Sequence, residues 1–277
     1  MKLSVIIPSF NQVHFIGRTI QSILDQNDPD VEIIIIDGGS KDGTCEVVES
    51  FGSAVQHFIS EKDRGQSDAL NKGLALATGD FIGWQNSDDI YLPESFRRFR
   101  QAWDADTRAG RRRDVYFGNL VVIDAQDRIL YRKLYGNFRA DYLRFAGWNT
   151  TNQTTFFSGQ CLKGQGEFDV ELHFAMDLDI YLRLVQSGAT FRWINAYLGA
   201  LRIHGATKTS TLHEVCDDEF RRVRARHLVN YQTTRTWESQ FVAQRLKERL
   251  IRYVSLLGNP GTWSALALKL KEAGRFT

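Results

Sequence analysis

Two adjacent carboxylates, Asp88 and Asp89, follow the apolar run Phe81 to Trp84 in the stretch FIGWQNSDDIYLP. Neighbouring acids repel each other and cost free energy to desolvate, so their place at the end of an apolar strand asks for a counter-charge. A turn is the plain alternative, because Asn, Ser and Asp all suit turns and helix caps. The same setting recurs three times upstream. Ser9 and Asn11 follow Leu3 to Ile7, Asp37 follows Val31 to Ile36, and Asp63, Arg64 and Gln66 follow Val55 to Ile59. Acids among oxygen-rich neighbours, with no Cys or His cluster, point to a hard cation, Mg2+ or Mn2+. Such an ion bridges carboxylates to substrate phosphates and makes a diphosphate a better leaving group. A nucleotide diphosphate is therefore the expected ligand. Neither a Gly-x-Gly-x-x-Gly nor a P-loop motif is present, so a dinucleotide fold and a P-loop are both set aside.

These residues are positioned by a repeated unit: a β-rich run, a polar loop, then a helical stretch. Phe15, Ile16, Ile20, Ile23 and Leu24 recur at helical spacing in residues 14–24. Asp42 or Thr44 is the expected cap of a helix carrying Val47, Val48 and Phe51. A further helix is expected over Ser67 to Ala77, and a strand over Phe81 to Trp84. Alternating strands and helices predict an α/β fold with a mostly parallel central sheet flanked by helices. Ligands of such sheets sit beyond the carboxyl ends of the strands, which places all the acids on one edge. Farther on, the sequence predicts a strand over Val115 to Phe117 and a hairpin over Val121 to Tyr131 turning at Asp124 to Asp127. Loops lining a site are expected between Gly147 and Gly166, and a helix over Asp177 to Ser187.

The 277 residues carry a net charge of +2, divided unevenly: 13 Lys/Arg against 7 Asp/Glu from Ala206 onward leaves −4 for residues 1–205. One basic face for nucleic acid is not built this way. No run of eighteen apolar residues is present, and the start MKLSVIIPSFN reads as a first strand rather than a signal peptide. Cys45, Cys161 and Cys216 are odd in number and far apart, which fits a reducing cytosol. The expected location is cytoplasmic, with the inner face of the cell membrane open.

The stretches SVIIPSFNQ, EIIIIDGGSKDGT, SEKDRGQSDALNKGLALATGDFIGWQNSDD and FAMDLDIYLRL closely resemble the family-2 glycosyltransferases of the GT-A fold. The resemblance runs from residue 3 to about 205. It implies a GT-A domain over 1–205, with a nucleotide-binding half at about 1–90 and an acceptor and catalytic half at about 91–205. Residues 206–277 are left as a helical, basic extension. It implies inverting transfer of a sugar from a UDP, dTDP or GDP sugar to a carbohydrate or lipid-linked acceptor, in cell-surface polysaccharide or glycolipid assembly. By position Asp88-Asp89 matches the metal-binding acidic motif, with Asp89 the expected direct ligand and Asp88 nearer the donor's ribose or sugar. Pro8, Ser9 and Phe10 match the loop that packs on the nucleotide, Asp37 and Asp63 frame base and ribose, and Asp177 matches the catalytic base. Many relatives carry Asp-Asp-Gly-Ser after the second strand, and the second Asp commonly contacts uracil. Gly38 stands there in this chain, which puts a UDP donor in question.

Inversion in one displacement needs a carboxylate across the sugar from the leaving diphosphate, and so from a distant segment. Asp177 meets that need, although an acid at a helix start is also favoured by the dipole alone. Asp179 ranks second. His204 is either a structural histidine or a residue near metal and diphosphate, with Lys208 and Ser210 beside it. Gln153 and Trp148 are candidates for the acceptor or sugar pocket. Arg64 would neutralise phosphate or pair with Asp63. Apolar positions at helical spacing among Lys and Arg over 241–271 would rest on an anionic membrane, pack on the protein's own core or pack on a second subunit. A sugar-nucleotide-forming nucleotidyltransferase and a non-catalytic sugar-nucleotide-binding module are the alternative functions.

Overall fold

The computed structural model describes residues 1–145, 149–205 and 213–227. The chain divides into two compact units, one of Met1–Ala140 with Trp148–Val229, the other of Asp141–Gly147 with Asn230–Thr277. All that follows concerns the first unit, apart from a short helix, α5 (Ala140–Phe145), that leads into the second. The expected boundary at 205 thus falls inside the first unit, which continues to Val229.

The first ninety residues fold as β1 (Leu3–Ser9), α1 (Ile16–Leu24), β2 (Val31–Asp37), α2 (Thr44–Glu49), β3 (His57–Ser60), α3 (Gln66–Leu76) and β4 (Phe81–Trp84). Every residue of β1 is buried, as expected of a strand covered on both faces. Both β1–β2 and β2–β3 are parallel, in a register that sets Ser9 beside Asp37 and Asp37 beside Ser60. Three polar strand ends therefore lie flush on one edge. The first residue before α2 is Gly43, in a left-handed conformation, so neither expected residue is the cap. Asp42 contributes from one position earlier, its carboxylate accepting the Thr44 N–H at 3.1 Å.

The remainder adds β5 (Ile90–Tyr91), α4 (Ser95–Arg108), β6 (Val115–Ile123), β7 (Ile129–Lys133), β8 (Thr155–Ser158), α6 (Gly159–Lys163), α7 (Met176–Gln186), β9 (Phe191–Arg202) and α8 (His213–His227). The nine-stranded sheet runs β3-β2-β1-β4-β8-β6-β9-β5, with β7 paired to β6. The antiparallel strand β8 lies between β4 and β6, so a buried central strand occupies a stretch expected to form loops. β6 runs unbroken to Ile123 because Gly118 is no breaker: a Cβ there would lie 2.4 Å from Leu198. The expected hairpin forms between β6 and β7, with Asp124 accepting the Gln126 and Arg128 N–H groups at 2.9 and 3.0 Å. No described helix is long and apolar enough to cross a membrane.

Candidate active site

The acids sort into two groups at one edge of the sheet. Asp37 is fully buried and saturated by its own surroundings. It accepts the N–H groups of Gly39 (3.0 Å) and Ser40 (2.8 Å) and the hydroxyls of Ser40 (2.5 Å) and Ser60 (2.8 Å). The Ser40 hydroxyl also accepts the Asn11 N–H at 2.7 Å, and the Asn11 side chain accepts the Lys41 N–H at 3.2 Å. Asp37 and Asn11 thus stitch the loops after β1 and β2 together. Between them, Phe10 is 59% exposed, while the buried Ser9 hydroxyl has no partner among the described residues. Pro8 lies buried in β1.

Asp63 accepts the Gly65 N–H at 2.9 Å. A Cβ on Gly38 would stand 3.0 and 3.1 Å from the two Asp63 carboxylate oxygens. The missing side chain at position 38 is what gives Asp63 its room. Burial first, then the nearby Asp68 and Asp37 charges, raise the Asp63 carboxyl above its ordinary range. Arg64 turns away from it and pairs with Asp68 at 3.2 Å, so the expected Asp63–Arg64 pair is absent. Asp68, in the first turn of α3, also accepts the Arg64 backbone N–H at 3.3 Å, so the loop before the helix is held to that carboxylate.

Asp88 and Asp89 part company. Asp89 is fully buried and accepts three N–H donors: Asn86 at 2.9 Å, Gln153 at 2.8 Å and the Arg202 backbone at 2.8 Å. Burial, then the charge on Asp88, push its carboxyl well above the usual range. Asp88 is partly exposed, and its carboxylate lies 3.0 Å from His204 Nε2. Asp89 thus anchors the loop from within, and Asp88 is the more exposed of the two acids. Gln153 supports this lip, its amide buried against Asp89. Gly199 in β9 lets it approach, since a Cβ there would meet the Gln153 carbonyl oxygen at 2.0 Å.

Several parts of the lip carry no motif. Asn86 accepts from Gln66 (2.8 Å) and from the Trp84 indole (3.1 Å), linking α3 to the lip. The Thr19 hydroxyl lies 2.9 and 2.8 Å from the Ser87 and Asp89 carbonyls. Arg202 is entirely buried. Its guanidinium donates to the Asp88 carbonyl at 2.7 Å, to the Asp124 carbonyl at 3.1 Å and to the Asp127 carboxylate. Phe15 lies between the two basic groups, its ring 4.5 Å from the His204 ring and 5.2 Å from the Arg202 guanidinium carbon. An Arg two residues before a His in LRIH was the one visible signal; Thr19 had none.

Among the described residues no three His, Cys, Asp or Glu side chains converge as a closed metal cage. One carboxylate oxygen 3.0 Å from one imidazole nitrogen still fits a hard divalent ion that takes its remaining ligands from phosphate and water.

Asp177 lies in the first turn of α7, its carboxylate accepting the Leu178 N–H at 2.8 Å. Burial, reinforced by the charge of Glu219, pushes it up to about 7. The chain leading to it is tied to the donor side. Ser67 donates to the Leu172 carbonyl at 3.1 Å, and Asn71 exchanges hydrogen bonds of 2.9 and 2.7 Å with Phe168. Asp179 faces elsewhere, 2.6 Å from His227 and 2.9 Å from Arg183. It ties α7 to α8 and is no pocket residue. Trp148, Lys208, Ser210 and the basic tail over 241–271 lie outside the described residues. A separate cavity of about 570 Å³, lined by Asp80, Trp103 and Arg111 to Arg113, opens at the start of β4, the opposite end of that strand from Asp88.

Comparisons with known proteins agree with this fold. The chain is 32% identical over 133 residues to an uncharacterized glycosyltransferase of Nostoc, covering 47% of this chain and 40% of that protein. It therefore spans less than half the length of that relative. Staphylococcus aureus TarS 1–349, solved in complex with UDP-GlcNAc, superposes with a TM-score of 0.68 at 18% identity, over 89% of this chain and 72% of the other. The mannosyltransferase PcManGT of Pyrobaculum calidifontis, solved with GDP-Man and Mn2+, gives a TM-score of 0.61 at 14% identity, over 98% and 80% of the two chains. Both likenesses establish a shared GT-A fold. With the family model for Glycosyl transferase family 2 matching residues 4–165, the chain belongs to glycosyltransferase family 2.

Proposed function

We propose that this protein transfers a sugar, with inversion, from a nucleotide-diphosphate-sugar donor to an acceptor hydroxyl, in the assembly of a cell-surface polysaccharide or glycolipid. The observation that carries the reading is the Asp88–His204 pair, 3.0 Å apart, standing over a buried and fully bonded Asp89. Asp88 and His204 would hold Mn2+ or Mg2+, with Asp89, Asn86 and Arg202 fixing the loop beneath. When bound, the ion neutralises charge on the departing diphosphate. The nucleotide lies along the ends of β1 to β3, over Pro8 to Asn11 and the Asp37 loop. Asp63 stands in the space left by Gly38, so a carboxylate remains to accept an N–H from the base. UDP, dTDP and GDP sugars all provide one.

Asp177 is the base in this reading. It takes the proton of the acceptor hydroxyl as that oxygen bonds to the anomeric carbon, and the diphosphate leaves with the bonding pair. A carboxyl held near neutrality suits this task, because it both accepts and releases a proton at working pH. Similarity to chains solved with UDP-GlcNAc and with GDP-Man supports a nucleotide-sugar donor without choosing between them.

A thermal-shift screen of UDP, dTDP and GDP and their sugars, with and without Mn2+, tests the proposal. A ligand at about 100 times its Kd stabilises the folded state by about 2.7 kcal/mol. A Mn2+-dependent rise in melting temperature is expected for at least one donor, lost in Asp88→Asn and in His204→Ala. Absence of a shift with every nucleotide would refute the site.

A further inference from the structure

Glu219 entered the site above only through its charge on Asp177, yet it is the most unusual carboxylate of α8. Its neighbours Asp217, Asp218, Arg221 and Arg222 are exposed, whereas Glu219 is only 2% exposed. One carboxylate oxygen accepts the His173 N–H at 3.0 Å; the other accepts those of Phe174 at 2.6 Å and Ala175 at 2.7 Å. These three consecutive amides form the entry to α7. Burying a carboxylate is costly unless donors meet it, and here all the donors come from one turn of backbone. An apolar side chain would fill the same space without ordering those amides. The carboxylate adds orientation: it fixes three successive N–H groups just ahead of the first turn of α7 and sets a negative charge at that helix's N-terminal end.

Asp177 is the second residue of that helix. We propose that Glu219 is a positioning residue for Asp177, holding the peptides of 173–175 so that the first turn of α7 presents its carboxylate to the crevice. The proposal rests on the reading of Asp177 as base. It also assigns a role to a helix beyond the stretch that matches the family model. The rest of α8 is built to the same end. His227 and Arg226 bind Asp179 and Asp169 at 2.6 and 2.7 Å, and Val223 is fully buried. Two other groups register the charge of Asp177. Tyr181 is kept protonated far above neutral pH, and Cys216 is pushed up to about 11, in both cases mainly by burial. Glu219 is therefore the charged neighbour whose removal changes the Asp177 proton near neutrality.

The test uses the full chain, Mn2+ and the sugar nucleotide selected by the thermal-shift screen, with hydrolysis of that donor as the turnover. In Glu219→Gln, KM for the donor is expected to stay within about twofold while kcat falls by about 10- to 100-fold, the scale of a small misplacement at a reacting centre. The acidic limb of kcat should move to lower pH, and amide exchange at 173–175 should quicken. Glu219→Asp keeps the charge on a shorter arm, guards against loss of folding and should recover part of kcat. Glu219→Gln added to Asp177→Asn should cost nothing more. Parental kcat and an unmoved limb in Glu219→Gln, beside an inactive Asp177→Asn, overturn the positioning role alone. Parental turnover in Asp177→Asn overturns the base assignment and this role with it.

Discussion

Replacing Asp177 by Asn should stabilise the protein in alkaline solution while removing its transferase activity. The carboxyl is pushed up to about 7 in the folded chain against an ordinary 3.8, mainly because its partly buried surroundings desolvate it. Between those values the folded state holds a proton that the unfolded state has released. Stability therefore falls as pH rises through this window and levels off above 7. Of this window, the part between pH 5.5 and 7 corresponds to about 2 kcal/mol at about 1.4 kcal/mol per tenfold change. Asn cannot ionise, so the advantage of Asp177→Asn over the parent should grow by about 2 kcal/mol between pH 5.5 and pH 8.5. Urea unfolding at the two pH values measures it directly. Turnover should show the mirror image. The parent rises about tenfold from pH 6 to pH 8 as the carboxyl loses its proton, and the variant stays inactive throughout. A variant that transfers normally, or whose stability tracks the parent at both pH values, would refute the assignment of a desolvated base.

Two other substitutions probe the supports. Arg202→Met strips hydrogen bonds from the Asp88 and Asp124 carbonyls and removes one of the cationic partners of Asp127, which keeps Arg18 at 2.8 Å. The partly exposed Asp127 can rehydrate, so urea unfolding should show a loss of about 2–3 kcal/mol, below the figure for a fully buried pair. The Mn2+ concentration needed for half-maximal donor binding should rise by about 10- to 100-fold, as when a residue supporting metal ligands is lost. Gly38→Ala sets a methyl 3.0–3.2 Å from the Asp63 carboxylate and displaces it. Titration calorimetry should then show nucleoside diphosphate binding weakened about tenfold, the worth of one hydrogen bond to a charged group, with folding intact.

The parallel half of the fold was legible because its strands are unbroken apolar runs that stop at Pro8-Ser9, Asp37-Gly38 and Trp84-Gln85. Local chemistry writes those stops. β8 was not legible, because its place between β4 and β6 depends on pairing with residues some 40 to 75 positions away. The acidic edge could be read from sequence, and so could the divergence of Asp177 and Asp179 on their helix. The separate roles of Asp88 and Asp89 could not. Adjacent residues look alike until burial is known, and the burial of Asp89 depends on Gln153 and Arg202 from distant segments. Glu219 was hidden for a plainer reason: a single acid in a charged helix gives no sign that it faces inward.

Strand β9 gives the lip a check on assembly. It pairs with β6 as far as Arg202 beside Ile123, and the next residue, Ile203, is 38% exposed. Strand side chains alternate between faces, so a slip of one residue would turn Arg202 outward and bring Ile203 against Asp89. An aliphatic chain cannot donate to the Asp88 and Asp124 carbonyls, and the misregistered sheet would lose those bonds. Since β9 is synthesised after every other described strand, the acids waiting at residues 88 and 89 receive Arg202 late in synthesis. A newly made chain would form its parallel strands first and complete the Asp88–Asp89 lip only when the sheet has closed in register.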